Sequence, residues 1–200
     1  ALAVTVARSV RAGDARVDTD ADGYPDEFEA WRGTAPDDGS SIPGEDISAG
    51  ATALAVTSAR FVVRSNREAA DEIRLRGRLV VPAEFVVEGA VVVVSVAGVG
   101  REFTLDAAGR GTHGGTGTLR QPVRRRRGQV VAGTASFDVF LRGGEFAASL
   151  ADEGLDTSRP QKNEPRAATA FVQFDGHTYA ATVPLYWSAS VGKTGIGGMS

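Results

Sequence analysis

The 200-residue chain has no cysteine. That excludes disulfides, thiolate metal sites and cysteine nucleophiles. Lysine is nearly absent, with two lysines against twenty arginines. The skew reads as the imprint of a GC-rich genome rather than of a function. No Walker-type glycine loop ending in lysine is present, which removes the usual nucleotide cradle. Histidine is scarce: His113 and His177 are the two. Neither stands in a Ser-His-Asp order or a Glu-x-x-His spacing, so zinc and triad chemistry lack their side chains. No run of 18 apolar residues occurs, and no membrane-spanning helix is expected. The net charge of −3 carries no bulk signal for nucleic acid. The chain opens at Ala1 without a basic, then apolar, leader. It is expected to be a processed form whose signal peptide is gone.

What the sequence does have is a concentrated run of acid. Residues Asp18 to Glu29 read DTDADGYPDEFE. Oxygen donors fall at loop positions 1 (Asp18), 3 (Asp20), 5 (Asp22), 9 (Asp26) and 12 (Glu29). Gly23 holds position 6, where a calcium loop turns sharply, and Tyr24 holds position 7, where a backbone carbonyl is the ligand. Ca2+ takes 6–8 oxygens, and alternating short carboxylates on a tight loop converge on one centre. Four aspartates within nine residues repel one another unless a cation lies between them. The spacing predicts one Ca2+ on Asp18, Asp20, Asp22, Asp26, the Tyr24 carbonyl and bidentate Glu29. Calcium without cysteine fits an extracytoplasmic protein, where millimolar calcium fills a weak site.

Around this loop the chain divides into four parts: an N-terminal strand segment (1–17), the calcium loop with a short helix (18–40), a linker (41–51) and a β domain (52–197). Leu2, Val4 and Val6 alternate as in a strand. Pro25 suits a first helical turn, with Asp26 and Glu27 at the end where the dipole favours anions. Phe28 and Trp31 share one face of that helix, and Gly33 closes it. Asp37 and Asp38 read as a solvated turn, with a second, weaker calcium site as the alternative.

From Thr52 the pattern is one of strands. They are expected at 54–63, 72–81, 91–96, 102–106, 119–125, 134–142, 168–174 and 178–187. In the second of these Ile73, Leu75, Leu79 and Val81 point inward, while Arg74, Arg76 and Arg78 point outward. Residues 97–100 and Asp175-Gly176 mark hairpin turns. One helical segment is expected over 144–155, carried by Phe146, Leu150 and Leu155. Strands in this number predict a mainly β protein, an immunoglobulin-like antiparallel β-sandwich with a jelly roll as the alternative.

Two resemblances go with these residues. DTDADGYPDEFEAWRGTAPDDGSS (18–41) resembles the calcium repeats of thrombospondin type 3 and related bacterial secreted proteins, which are EF-hand-like in their loop. Ala35 stands where that pattern has Asp. Residues 52–193 are similar to a β-sandwich module of large secreted and surface proteins of high-GC environmental bacteria. LRGRLVVPAEF, REFTLDAAGRG and GGEFAASLADEGL carry the likeness. It implies architecture and no catalytic activity.

Other motifs weigh less. GRGTHG (109–114) matches Gly-x-Gly-x-x-Gly, but no helix follows to receive a pyrophosphate, so a loop tip is expected. Arg124 to Arg127 is a dense basic run without interleaved aromatics. It reads as a charged edge that discourages strand pairing, with an anionic polysaccharide or phosphate as the alternative ligand. Glu84, Glu88 and Asp138 are the carboxylates a glycosidase would draw on, yet no spacing sets them apart. Tyr179 and Trp187 fall on one face of the last strand and Tyr186 on the other, unless Pro184 breaks the register.

The combined expectation is a non-enzymatic, extracytoplasmic (secreted or cell-surface) bacterial protein of structural or adhesive type. Its cofactor is Ca2+. Its partners are other copies of itself, joined by β-strand addition of residues 1–10, or surface glycans. A nucleic-acid partner is not expected. A carbohydrate-binding module and an accessory domain of a larger secreted enzyme are the alternatives.

Overall fold

The computed structural model describes residues 51–83, 85–114, 117–121, 123, 125–126, 129–144 and 146–199, with residue 19 and residues 35–39. The N-terminal strand expected over 1–10, the helix expected after Pro25 and all six expected calcium ligands lie outside the described residues.

The described chain is mainly strand with almost no helix, as expected. In order it forms β1 (Thr52–Ala53), β2 (Ala55–Arg64), β3 (Asp71–Val81), β4 (Val91–Val96), β5 (Val99–Thr104), β6 (Arg110–His113), β7 (Gly117–Arg120), β8 (Arg125–Arg126) and β9 (Gln129–Val130). There follow β10 (Gly133–Gly144), a short helix α1 (Ala147–Asp152), β11 (Gln161–Phe174), β12 (His177–Ala189) and β13 (Thr194–Gly198). Eleven strands pair in one sheet, in the order β5-β4-β11-β12-β13-β2-β3-β10-β7-β6, with β1 added parallel to β12. Every other pair along the path is antiparallel. β8 and β9 make a separate ribbon.

The sheet rolls until its ends approach. His113 Nδ1 on β6 lies 3.0 Å from the Glu102 carbonyl on β5, and the Phe103 and His113 rings meet edge-on at 6.3 Å. The result is nearly a barrel. Its interior is filled by period-two side chains: Phe61 and Val63 from β2, Ile73, Leu75 and Leu79 from β3, Val92, Val94 and Val96 from β4, and Ala168, Ala170 and Val172 from β11. These belong to one continuous core. On β3 the arginines at 74, 76 and 78 alternate with those buried positions and are exposed, as the sequence predicts.

Both expected hairpin turns form. Asp175 and Gly176 have φ of 49° and 70°, and Ala97 and Gly98 have 50° and 77°. Two consecutive left-handed residues are the tight turn whose twist suits antiparallel strands. The expected helix is shorter than its pattern. Phe146 sits just before α1 and Leu155 just after it, yet both are buried with Leu150. Gly154 (φ 72°) ends the helix, with the Leu155 N–H bonded to the Leu150 carbonyl at 2.9 Å.

Some elements differ from the sequence reading. The strand expected over 119–125 is two pieces, β7 and β8, on different sheets. The expected loop tip at 109–114 contains strand β6. Pro184 does not break β12, which runs unbroken from His177 to Ala189. On one side Pro184 faces Ala167; on the other, β1 covers Tyr179–Ala180 and β13 begins only at Tyr186. The missing N–H therefore falls where no ladder needs it. β13, TGIGG, looks like a glycine-rich tail. It becomes a strand because Trp187 lies across it: a Cβ on Gly197 would stand 2.6 Å from Trp187 Cε3. The fully buried indole keeps its N–H satisfied by donating to the Asp156 carbonyl at 2.9 Å.

Candidate functional site

Charge is unevenly spread along the chain. Residues 1–50 hold 11 acidic and 4 basic side chains, net −7. Residues 51–200 hold 14 acidic and 18 basic, net +4. In the sheet, the pairing order gathers much of the positive charge on the outer face of β2-β3-β10-β7-β6.

The registers give the rows of that face. Arg60 on β2 stands opposite Arg74, which stands opposite Phe140 on β10. One row along, Arg76 is opposite Asp138, Asp138 opposite Arg120 on β7, and Arg120 opposite Arg110 on β6. Arg78 and Arg142 flank these rows on either side, opposite Ser136 and Glu72. All seven arginines are exposed. Among the described residues two carboxylates share the face, and both are taken. Asp138 accepts two bonds from Arg74 (3.1 and 2.8 Å) and one from Arg76 (3.0 Å). Glu72 pairs with Arg64 at 2.9 Å and more loosely with Arg60 at 3.9 Å. Partial burial pushes the Asp138 carboxyl up, but Arg74 and then Arg76 outweigh it and hold it below the usual Asp value. Phe140 is half-buried, with the Arg74 and Arg142 guanidinium groups 5.8 and 5.9 Å from its ring centre. Arg78, Arg110 and Arg120 have no ion-pair partner among the described residues. Arg125 of β8 binds the Ala107 carbonyl at 2.9 Å, placing the ribbon beside the turn that leads into β6. Arg126 beside it is exposed, and Arg124 and Arg127 lie outside the described residues.

A second feature is an open depression of about 410 Å³ beside α1, lined by Val63, Ala147, Ala151, Val191 and the turn Asp156–Ser158. Its one carboxylate, Asp156, is engaged: the Ser158 hydroxyl and its N–H (2.8 Å) both donate to it and lower its pKa. The wall is otherwise largely apolar.

The remaining predicted residues are dispersed. Tyr179 and Trp187 are buried in the core, and Tyr186 is exposed on the opposite face, as period two requires. Tyr179 donates its hydroxyl to the Val80 carbonyl, and burial raises its pKa. Glu88 is exposed, and Glu84 lies outside the described residues. Asp37 and Asp38 are exposed in a turn closed by the Asp38 N–H and the Ala35 carbonyl at 3.2 Å. Among the described residues no group of three or more His, Asp or Glu could hold a metal ion, and none of their helices is long and apolar enough to cross a membrane.

The sequence pattern showed three of these arginines, on β3. It missed the face, because Arg60, Arg110, Arg120 and Arg142 come from strands 14 to 68 residues from Arg74 in the chain. No protein-family model, curated protein sequence or solved structure matches this chain.

Proposed function

We propose that this chain is a calcium-binding, non-enzymatic structural or adhesive module of an extracytoplasmic bacterial protein. One observation carries the reading: in Asp18–Glu29, every ligand position of a twelve-residue calcium loop, and its turn glycine, is filled in register. The nearly closed antiparallel sheet would serve as a rigid body for that loop. Its two halves bury one shared core, which suits the finer reading of an immunoglobulin-like sandwich, with the jelly roll as its alternative. Self-assembly by addition of residues 1–10 to a neighbour's sheet belongs to the same proposal.

Calorimetry tests the calcium site. One ion should bind with a dissociation constant of about 10⁻⁴–10⁻³ M or tighter, and the Asp20→Ala/Asp22→Ala double variant should lose it. Unchanged binding in that variant overturns the assignment. Hydrogen exchange with and without chelator should alter protection in residues 1–50 and leave β2 to β13 unchanged, because ligand binding stabilises what it contacts. Light scattering with calcium at high protein concentration tests assembly; a monomer there ends the strand-addition reading.

A further inference from the structure

We infer that the outer face of β2-β3-β10-β7-β6 is a binding site for an acidic polysaccharide, one bearing carboxylate or sulfate groups. The inference rests on the extracytoplasmic reading, which places this face among surface glycans. Its structural basis is independent of the calcium loop.

Arg110 and Arg120 stand directly opposite each other on β6 and β7. Like charges in that position repel. The nearest carboxylate in the row, Asp138, is already bonded to Arg74 and Arg76. Arg78 continues the row along β3, also without a carboxylate opposite it. Among the described residues, the fold thus holds three guanidinium groups without an ion-pair partner on a surface about 20 Å wide, given a strand spacing near 4.8 Å. Along β3, successive arginines are about 7 Å apart. This is a flat grid of forked donors, and the planar guanidinium matches carboxylate and sulfate oxygens two at a time. A linear polymer with an acid group on successive sugars engages several forks at once.

Nucleic acid fits less well. Single strands want exposed rings on which bases stack, and Phe140 is half-buried beneath two guanidinium groups. Duplex DNA is read by a helix or ribbon entering a groove, and this face is the broad middle of a sheet. Neutral sugars would look for exposed aromatic platforms, and among the described residues this face offers only the half-buried Phe140.

The test uses the full chain with a chelator present, so that calcium cannot bridge acid to acid. Binding to heparin, polygalacturonate, neutral dextran and a DNA duplex is measured by calorimetry at about 50 mM salt and again at about 200 mM. The two acidic polysaccharides should bind, dextran should not, and affinity should fall steeply with salt because bound counterions are released. The triple variant Arg78→Thr/Arg110→Thr/Arg120→Thr should lose about tenfold or more in affinity and show a shallower salt slope. Arg159→Thr/Lys162→Thr/Lys193→Thr, which removes the same charge outside this face, should stay within about twofold of the parent. Circular dichroism melts of both variants check that the fold persists. Three results would overturn the inference: no acidic polysaccharide binds at low salt, the two triple variants lose affinity equally, or the duplex binds more tightly than either polysaccharide. Because calcium is absent throughout, failure here leaves the calcium site standing, and loss of the calcium site leaves this result standing.

Discussion

The two outer faces of the sheet are built on the same alternation and differ in what it exposes. Among the described residues of β2-β3-β10-β7-β6 the outward positions carry eight arginines, Arg64 with the seven exposed ones, and two carboxylates. On β4-β11-β12 the outward positions include Val91, Val93, Ser95, Ala167, Thr169, Phe171, Gln173, Ala180, Thr182, Pro184 and Tyr186, none of them charged. Phe171 is 2% exposed there and makes a small second cluster with Val93 and Ala180. Folding needs only that one face of each strand be apolar. It leaves the other face free, and here the two halves use that freedom differently: one as a charged surface, the other as a neutral one with a local apolar contact.

The strongest way to break the comparison is to separate the halves. β13 joins β12 to β2 and is held by Trp187 lying over Gly195 and Gly197. Trp187→Ala should cost about 3–5 kcal/mol, the range for removing a large buried aromatic. Urea denaturation should show one transition, shifted to lower urea; a loss below about 1 kcal/mol would mean the joint lies elsewhere.

Asp71 comes next. It is buried at the start of β3, and its two oxygens accept the Arg64 N–H at 2.7 Å and the Phe146 N–H at 2.8 Å. Asp71→Ala leaves two donors unpaired and should cost about 2 kcal/mol or more. Hydrogen exchange should rise first at Arg64 and at the start of α1, whose N–H groups Asp71 holds.

Asp138 sharpens the comparison through pH. Its folded pKa is depressed. Its contribution is therefore fully present above the ordinary Asp value and is lost as pH falls through the lower folded value. At 28% side-chain exposure the pair is partly screened, so the effect is about 1 kcal/mol or less. In urea titrations, Asp138→Asn should flatten the fall in stability between about pH 5 and pH 3. The same variant removes the one carboxylate in the Arg76–Arg120–Arg110 row and should tighten heparin binding.

The smallest effect belongs to the neutral face. Thr182→Arg at an exposed position of β12 should change stability by no more than about 0.5 kcal/mol. A larger loss, read from the urea midpoint, would show that the absence of charge on this face is itself required.

Local chemistry made much of this protein legible in its sequence. Period two assigned Ile73, Leu75, Leu79 and Val81 to the interior and Arg74, Arg76 and Arg78 to the outside, because a strand offers only two faces. Asp175-Gly176 announced its hairpin, because few residue pairs accept two left-handed conformations in succession. Spacing and residue type likewise suffice to propose the calcium loop. Tertiary structure alone decided the rest. β13 is a strand because Trp187, seven residues before it, covers glycines that have no strand propensity of their own. β6 is a strand because β7 pairs with it. The arginine face exists because β3, β10, β7 and β6 are neighbours in the order the closing sheet imposes. Alternation tells each side chain whether to face water, and only the pairing of distant strands tells it what else will be there.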